Sequence, residues 1–215
     1  MVQSKLLLQF KEISHFFSQK YDVEKDIQAE FIHQVHSSKV IYIDETTKNL
    51  SDIEADGMIT KGKRILGVKT ADCLPILIYN SKKKIIGAIH AGWKGLTGGI
   101  LENTVKTLLE INCFPSQIFV AIGPHIKSCC YKVNFDRIEK FAESGIDRNL
   151  IVRRKNSDWY LDLGKFASLG LERLGIPMVQ IEVSEFCTSC DKSFYSYRRD
   201  GDGCRRMISL IGLTL

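Results

Sequence analysis

The sequence predicts a layered α/β or α+β sandwich, and three observations carry that reading. Strand-like and helix-like stretches alternate along the chain. The strand-like stretches are dense in Ile, Leu and Val, as buried strands are. The length, 215 residues at 44% hydrophobic and 26% charged, suffices for one sizeable core. Internal repeats, low-complexity segments and Pro/Gly-rich linkers are absent from the sequence, so one domain spanning 1–215 is expected.

In chain order, residues 65–70 (ILGVKT), 75–80 (PILIYN) and 84–90 (KIIGAIH) read as buried strands. The last two form a predicted hairpin turning at Asn80-Ser81-Lys82-Lys83, with Tyr79 opposite Ile85. Residues 98–111 place Ile100, Leu101, Val105, Leu108 and Leu109 at helix spacing. Residues 118–122 (IFVAI) form a short strand stopped by Gly123-Pro124. A helix follows over 134–144 with Asn134 as N-cap. Residues 159–161 read as a strand leading into a helix, with Asp162 as its cap and Gly175 as its stop. Residues 178–185 form one further strand.

Charge and composition narrow the function. A formal net charge of +5 permits an anionic small substrate but does not argue for nucleic acid. No helix-turn-helix signal or aromatic RNA-binding motif supports a nucleic-acid module. No apolar run approaches the roughly 20 residues of a membrane span. The opening MVQSKLLLQFKE is cut by Gln9 and Lys11 too early for a secretory core, so a cytoplasmic protein is expected. Seven cysteines then read as thiols or metal ligands rather than disulfides.

The predicted hairpin brings Cys73 and His90 to its open end, where antiparallel partners sit roughly 5 Å apart. A thiol and an imidazole there can share zinc or copper, or His90 can deprotonate Cys73 to make a nucleophile. The bland alternative is a buried Cys beside a satisfied core His. It is weakened by the small residues of HAGWKG, which let a ligand approach the backbone, and by the polar Ala71-Asp72 turn before Cys73. A metal needs a third ligand, for which His33 and His36 are candidates. In a strand their three-residue spacing lets only one face the site, and spacing alone leaves the choice open.

The motifs QVH (34–36), ADG-MIT (55–60), TADCLPILI (70–78), HAGWKG (90–95), IGPHI-KSCCYKV (122–133), LDL (161–163), CT (187–188) and FYSYRRDGDGCRRM (194–207) occur in order. Together they resemble the YfiH family, also called the polyphenol oxidase or laccase-domain family, which includes the peptidoglycan editing factor proteins. The resemblance implies a single-domain layered α/β sandwich, grouped by shape with cysteine hydrolases. It implies one zinc held by His36, Cys73 and His90, and phosphorolysis of adenosine, inosine or methylthioadenosine with adenosine deamination beside it. Copper-dependent phenol oxidation and cell-wall editing are also attributed to family members.

The chain departs from the family pattern in four places. HFFSQKYDVEKD (15–26) replaces a GFSTR-like segment and a longer insert, putting Lys20 where Arg is expected; this shortening is expected to open the pocket. Lys94 replaces the Arg of HAGWRG, Lys132 replaces an acidic residue, and Gly203-Cys204-Arg205-Arg206 replaces Thr-Gly-Arg. Lysine holds an anion as a point charge without the guanidinium fork.

Deamination needs a proton donor, and Asp72 is the candidate beside Cys73. Phosphorolysis needs an anion site, for which Lys20, Lys94, Arg198, Arg199 and Arg205 are available, with purine nucleoside and phosphate as the small-molecule partners. A Cys73–His90 hydrolase acting on amide bonds or peptidoglycan precursors is the rival reading. Copper oxidase chemistry is disfavoured, because one mononuclear site cannot supply the four electrons of oxygen reduction. Cys187-x-x-Cys190 with Cys204 invites a second metal whose fourth ligand could be Cys129 or Cys130. Nothing in the sequence places those two, so plain reduced cysteines are expected.

Overall fold

The computed structural model describes residues 1–20, 22 and 28–214. The segment 15–26, whose shortening is expected to open the pocket, lies in part (Tyr21 and residues 23–26) outside the described residues. The elements in chain order are β1 (Ile13–Phe17), β2 (Val40–Ile43), β3 (Gly57–Thr60), β4 (Ile65–Thr70), β5 (Leu74–Asn80), β6 (Ile85–Ala91), α1 (Trp93–Thr97), α2 (Ile100–Glu110), β7 (Ile118–Ile122), β8 (Lys132–Val133), α3 (Phe135–Ala142), α4 (Arg148–Ile151), β9 (Val152–Lys155), β10 (Asp158–Leu161), α5 (Leu163–Arg173), β11 (Ile181–Val183), α6 (Tyr197–Asp200) and β12 (Met207–Leu213). No helix among the described residues is long and apolar enough to cross a membrane.

The centre is a six-stranded sheet in the order β11-β7-β5-β6-β3-β2. Its core ladders are antiparallel, while β2 pairs with β3 and β11 with β7 in parallel. Strands β5 and β6 are buried at every position. Side chains alternate between faces along a strand, and here both faces are covered. Ile76, Ile78, Ile85 and Ile89 pack with Leu101, Val105 and Leu108 of α2 and with Phe166 and Leu171 of α5. Leu77, Tyr79, Ile86 and Ala88 pack with Leu66, Val68, Ile211 and Phe17 of a second sheet, ordered β1-β12-β4. Each such side chain contributes about 1.5–3 kcal/mol on burial. Two-sided burial explains why these runs are continuously apolar rather than alternating. The result is the layered α/β sandwich.

Several expectations need correction. The hairpin pairs Tyr79 with Ile86 and Asn80 with Ile85, one residue away from the expected register. Asn80 belongs to the strand, and its Oδ1 accepts hydrogen bonds from the backbone N–H groups of Lys82 and Lys83. Lys84 then closes the loop in the left-handed region at φ 53°. Pro75 therefore stands opposite His90, and Cys73 falls one step past the last pair, Leu74 with Ala91. The helix expected over 98–111 begins at Ile100, because Gly99 at φ 89° separates α2 from the short α1. The strand expected over 178–185 is only β11, since Pro177 starts a 3₁₀ turn over Met178–Gln180. Asn134 and Asp162 do cap α3 and α5, accepting from Arg137 N and Lys165 N.

Gly123, just past the end of β7, lies against the second sheet. A Cβ there would lie 2.2 Å from the buried Phe17 ring of β1. Gly123→Ala is expected to destabilise the protein by about 1–3 kcal/mol through overpacking. A lower urea midpoint with unchanged slope would show this, and an unchanged midpoint would mean that the ring moves aside freely.

Candidate active site

The open end of the β5–β6 hairpin carries the site. Cys73 Sγ lies 3.9 Å from His36 Nε2. The His36 and His90 rings meet edge to face, with centroids 4.7 Å apart. One ligand atom from each of His36, Cys73 and His90 falls within 4.8 Å of the others. Gly92, across the hairpin from Cys73, leaves the necessary space: a Cβ there would stand 3.1 Å from the sulfur and 3.0 Å from His36 Cδ2. Cys73 and His90 are thus diagonal neighbours on one face rather than direct partners.

Asp56, immediately before β3, organises the cluster. It is fully buried. Its Oδ1 is 2.7 Å from His90 Nδ1 and accepts from His36 N at 3.0 Å. Its Oδ2 accepts from Ser37 N at 2.6 Å, Ser37 Oγ at 2.8 Å and Val35 N at 3.3 Å. One carboxylate therefore holds the His90 ring and the turn that presents His36, a residue at φ 60°. With Nδ1 engaged by Asp56, His90 presents Nε2 to the site, the usual arrangement for a ligating histidine.

The electrostatics follow from this packing. Burial opposes ionisation of Asp56, but hydrogen bonds from His90 and Ser37 outweigh it and hold the carboxyl below its ordinary range. Burial also opposes charge on His90, yet Asp56 and Cys73 push it up to about 9. The Cys73 thiol, despite burial, is pushed down to about 6 by His36 and His90. Two imidazoles and a thiol inclined to ionise form a donor set that fits a zinc-class ion. Three protein ligands leave a position open, as catalytic sites do.

The cluster lies in a cleft of about 780 Å³ whose wall includes Lys69, Trp93, Tyr131, Arg137, Arg198 and Arg206. Arg137 stacks over Trp93 at 4.2 Å, and its Nη1 donates to Tyr131 Oη. Arg198 Nη1 is anchored by the carbonyls of Cys130 and Lys132.

The structure distributes the other sequence-predicted residues unevenly. His33 also lines the cleft, but the stretch around it is not a strand, and only His36 reaches Cys73 and His90. Asp72 lines the cleft at φ 82°, and both its oxygens already accept hydrogen bonds, from Thr188 Oγ1 and Arg198 N, each at 2.6 Å. As a double acceptor it ties the Thr188 loop to the Arg198 backbone. Arg199 is spent on the carbonyls of Thr188, Ser189 and Phe194 and on Asp200, outside the cleft lining. Lys20 faces Asp200 at 3.9 Å, and Lys94 is exposed on α1; neither lines the cleft. Of the five cations expected at an anion site, only Arg198 lines the cleft; Arg205, like Lys94, is exposed and does not.

Sequence reasoning missed Asp56, Lys69, Arg137, Tyr131 and Arg206. Asp56, Tyr131 and Arg206 each lie inside one of the motifs at 55–60, 122–133 and 194–207, so those three left a signal. Arg137 looks like an ordinary solvent-facing helix residue until α3 is docked.

Fold and site together define an α/β protein with a His/Cys cluster able to hold a metal ion. The family described as multi-copper polyphenol oxidoreductase laccase matches residues 12–214, and the chain belongs to it. It is 36% identical over 186 residues to a purine nucleoside phosphorylase of Clostridium acetobutylicum, covering 84% of this chain and 75% of that protein. It is 32% identical over 179 residues to adenosine deaminase RL5 of an unknown prokaryotic organism, covering 78% and 68%. The crystal structure of the Bacillus licheniformis hypothetical protein YfiH superposes with a TM-score of 0.80 at 33% identity, covering 86% of this chain and 73% of that one.

Removing the organising carboxylate is expected to be severe. Asp56→Ala strands the turn N–H groups and the His90 ring in a buried space, at a cost of about 3–5 kcal/mol. Thermal or urea unfolding measures this directly. A loss below about 1 kcal/mol would show that the turn finds other partners.

Proposed function

We propose that this chain is a purine nucleoside enzyme with one zinc ion held by His36, Cys73 and His90 and with phosphate as co-substrate. Phosphorolysis of adenosine, inosine or methylthioadenosine is its main reaction, with adenosine deamination beside it. One observation carries the reading: two imidazoles and a thiol converge in a cleft that is also walled by cations. Relatives named purine nucleoside phosphorylase and adenosine deaminase support the substrate class. A cleft of this volume is within the range of small-molecule sites. We read residues 1–215 as one domain, since both core clusters share the central sheet.

Bound zinc would supply Lewis acidity beside the cleft. The chain's own residues do the rest. Asp56 keeps the His90 ring in one orientation. Arg137, Arg198 and Arg206 offer guanidinium forks, the geometry that binds phosphate bidentately. In phosphorolysis a phosphate oxygen forms the bond to C1′ while the C1′–N bond breaks and its electrons pass to the purine. The cations hold the phosphate for that displacement. Asp72 fixes the Arg198 backbone and so sets where this cation stands.

A second reading has one observation in its favour. A Cys73 thiol pushed down to about 6 is also an activated nucleophile, as a Cys–His hydrolase of amide bonds would need. The laccase chemistry of the family description fits less well. Among the described residues, the one other His/Cys/Asp/Glu group close enough to hold a metal contains no histidine.

Elemental analysis of protein purified without added metal, with products from adenosine and phosphate separated in parallel, tests the proposal. The expected outcome is zinc bound at this centre, and adenine with ribose phosphate as products. Cys73→Ala should lose that ion and at least about 100-fold in turnover. Turnover of an amide substrate by metal-free protein, with none of a nucleoside, would move the assignment to the hydrolase. Arg198→Met is expected to raise the KM for phosphate about 10- to 100-fold, the worth of a charged hydrogen bond. A KM unchanged within twofold would place the anion elsewhere in the cleft.

A further inference from the structure

Four cysteines outside the cleft converge on one point. Cys129 and Cys130 follow β7 in the 123–131 loop, and Cys187 and Cys190 follow β11 in the 184–196 loop. Their four sulfurs all lie within 4.8 Å of one another. Cys190 Sγ is 3.4 Å from that of Cys129 and 3.2 Å from that of Cys130. Four thiolates about 2.3 Å from a tetrahedral zinc ion stand about 3.8 Å apart. A disulfide would join only two of the sulfurs, at about 2.05 Å, and leave the others crowded. An iron–sulfur cluster would hold them farther apart, because several atoms separate its ligands. Cys204, which the sequence groups with the Cys-x-x-Cys pair, lies outside the cluster and donates to Arg205 O instead.

The backbone around the cluster points the same way. Lys127 N–H is directed at Cys187 Sγ at 3.5 Å. A donor aimed at a sulfur suits a thiolate. Four sulfurs this close resist ionising together unless a cation joins them.

We propose that Cys129, Cys130, Cys187 and Cys190 form a second metal site, a structural tetrathiolate centre for one zinc-class divalent ion. Four protein ligands close the coordination sphere, the mark of a structural rather than catalytic site. Soft thiolates select zinc over magnesium or calcium. The ion clamps two loops that already meet at the His125–Cys187 bridge and the Thr188 N to His125 O bond. Those loops bound the cleft. Ile126 and Tyr131 line it, Thr188 holds Asp72, and the Cys130 carbonyl anchors Arg198. The site would therefore stiffen the cleft wall while the sheet folds without it.

The inference stands apart from the proposed nucleoside chemistry, and metal counting separates the two. Protein purified under reducing conditions is assayed for zinc, iron and sulfide, beside Cys73→Ala, Cys190→Ser and the double variant. The expected zinc content is two equivalents in the parent, one in each single variant and near none in the double. Cobalt titration of metal-free Cys73→Ala protein should give the intense sulfur-to-cobalt absorption of a tetrathiolate site, saturating at one equivalent. That measurement does not require the Cys190 variant to fold. Zinc lost with Cys190→Ser but not with Cys73→Ala would keep this site and remove the one in the cleft. No zinc in Cys73→Ala and no sulfur-to-cobalt band overturns the proposal. So does iron with sulfide, or a thiol count showing a disulfide whose reduction restores no metal uptake.

Discussion

One buried carboxylate sets the geometry on which the site depends. Asp56 sits at the start of β3 with no solvent exposure, and groups from two directions meet on it. From β6 comes the His90 ring; from the turn before β2 come the N–H groups of residues 35–37. A buried charge is tolerable only when hydrogen bonds replace the water it has lost. Here those bonds also perform the positioning. They hold His36 in a left-handed conformation that costs roughly 1–2 kcal/mol, and they leave the second nitrogen of His90 pointing inward.

A second polar knot repeats this logic in the cleft wall. Asp72, itself in the left-handed region, takes Thr188 on one oxygen and the Arg198 backbone on the other. Arg199 caps the carbonyls of the same loop. Cys187 and Cys190 of the sulfur cluster sit on that same loop. The cleft wall is thus irregular chain held by side-chain hydrogen bonds. The floor, by contrast, is the end of a ladder buried on both faces. Such a division puts chemistry on loops and rigidity in the sheet.

Much of the fold was legible because its central strands and capped helices advertise themselves locally. The runs at 65–70, 75–80 and 118–122 lie in β4, β5 and β7, and Asn134 and Asp162 do cap their helices. What escaped was non-local. Strand β1 pairs with β12 across nearly the whole chain, and neither has a local partner to reveal it. The one-residue register error came from a side chain: Asn80 reads as a turn residue, but it caps the turn from within the strand. The Cys73–His90 pair could be picked out, since a Cys and a His at one hairpin end are separated by a countable number of residues. The cations could not, because a basic residue looks alike in sequence whether it caps a loop, as Arg199 does, or faces a ligand.

What the sequence determined by itself was the layering and the residue types of the candidate centre. Apolar periodicity and the motifs around Cys73 and His90 are local properties of the chain, and local chemistry suffices to read them. Residue spacing left His33 and His36 open, and the family resemblance pointed to His36; only the tertiary structure showed that His36 meets Cys73, which carboxylate orients His90, which arginines wall the cleft, and that Cys129 and Cys130 join Cys187 and Cys190. Each of these depends on where loops far apart in sequence come to rest. That is settled by burial of the sheet faces and by satisfaction of a few buried polar groups, neither of which a one-dimensional pattern records.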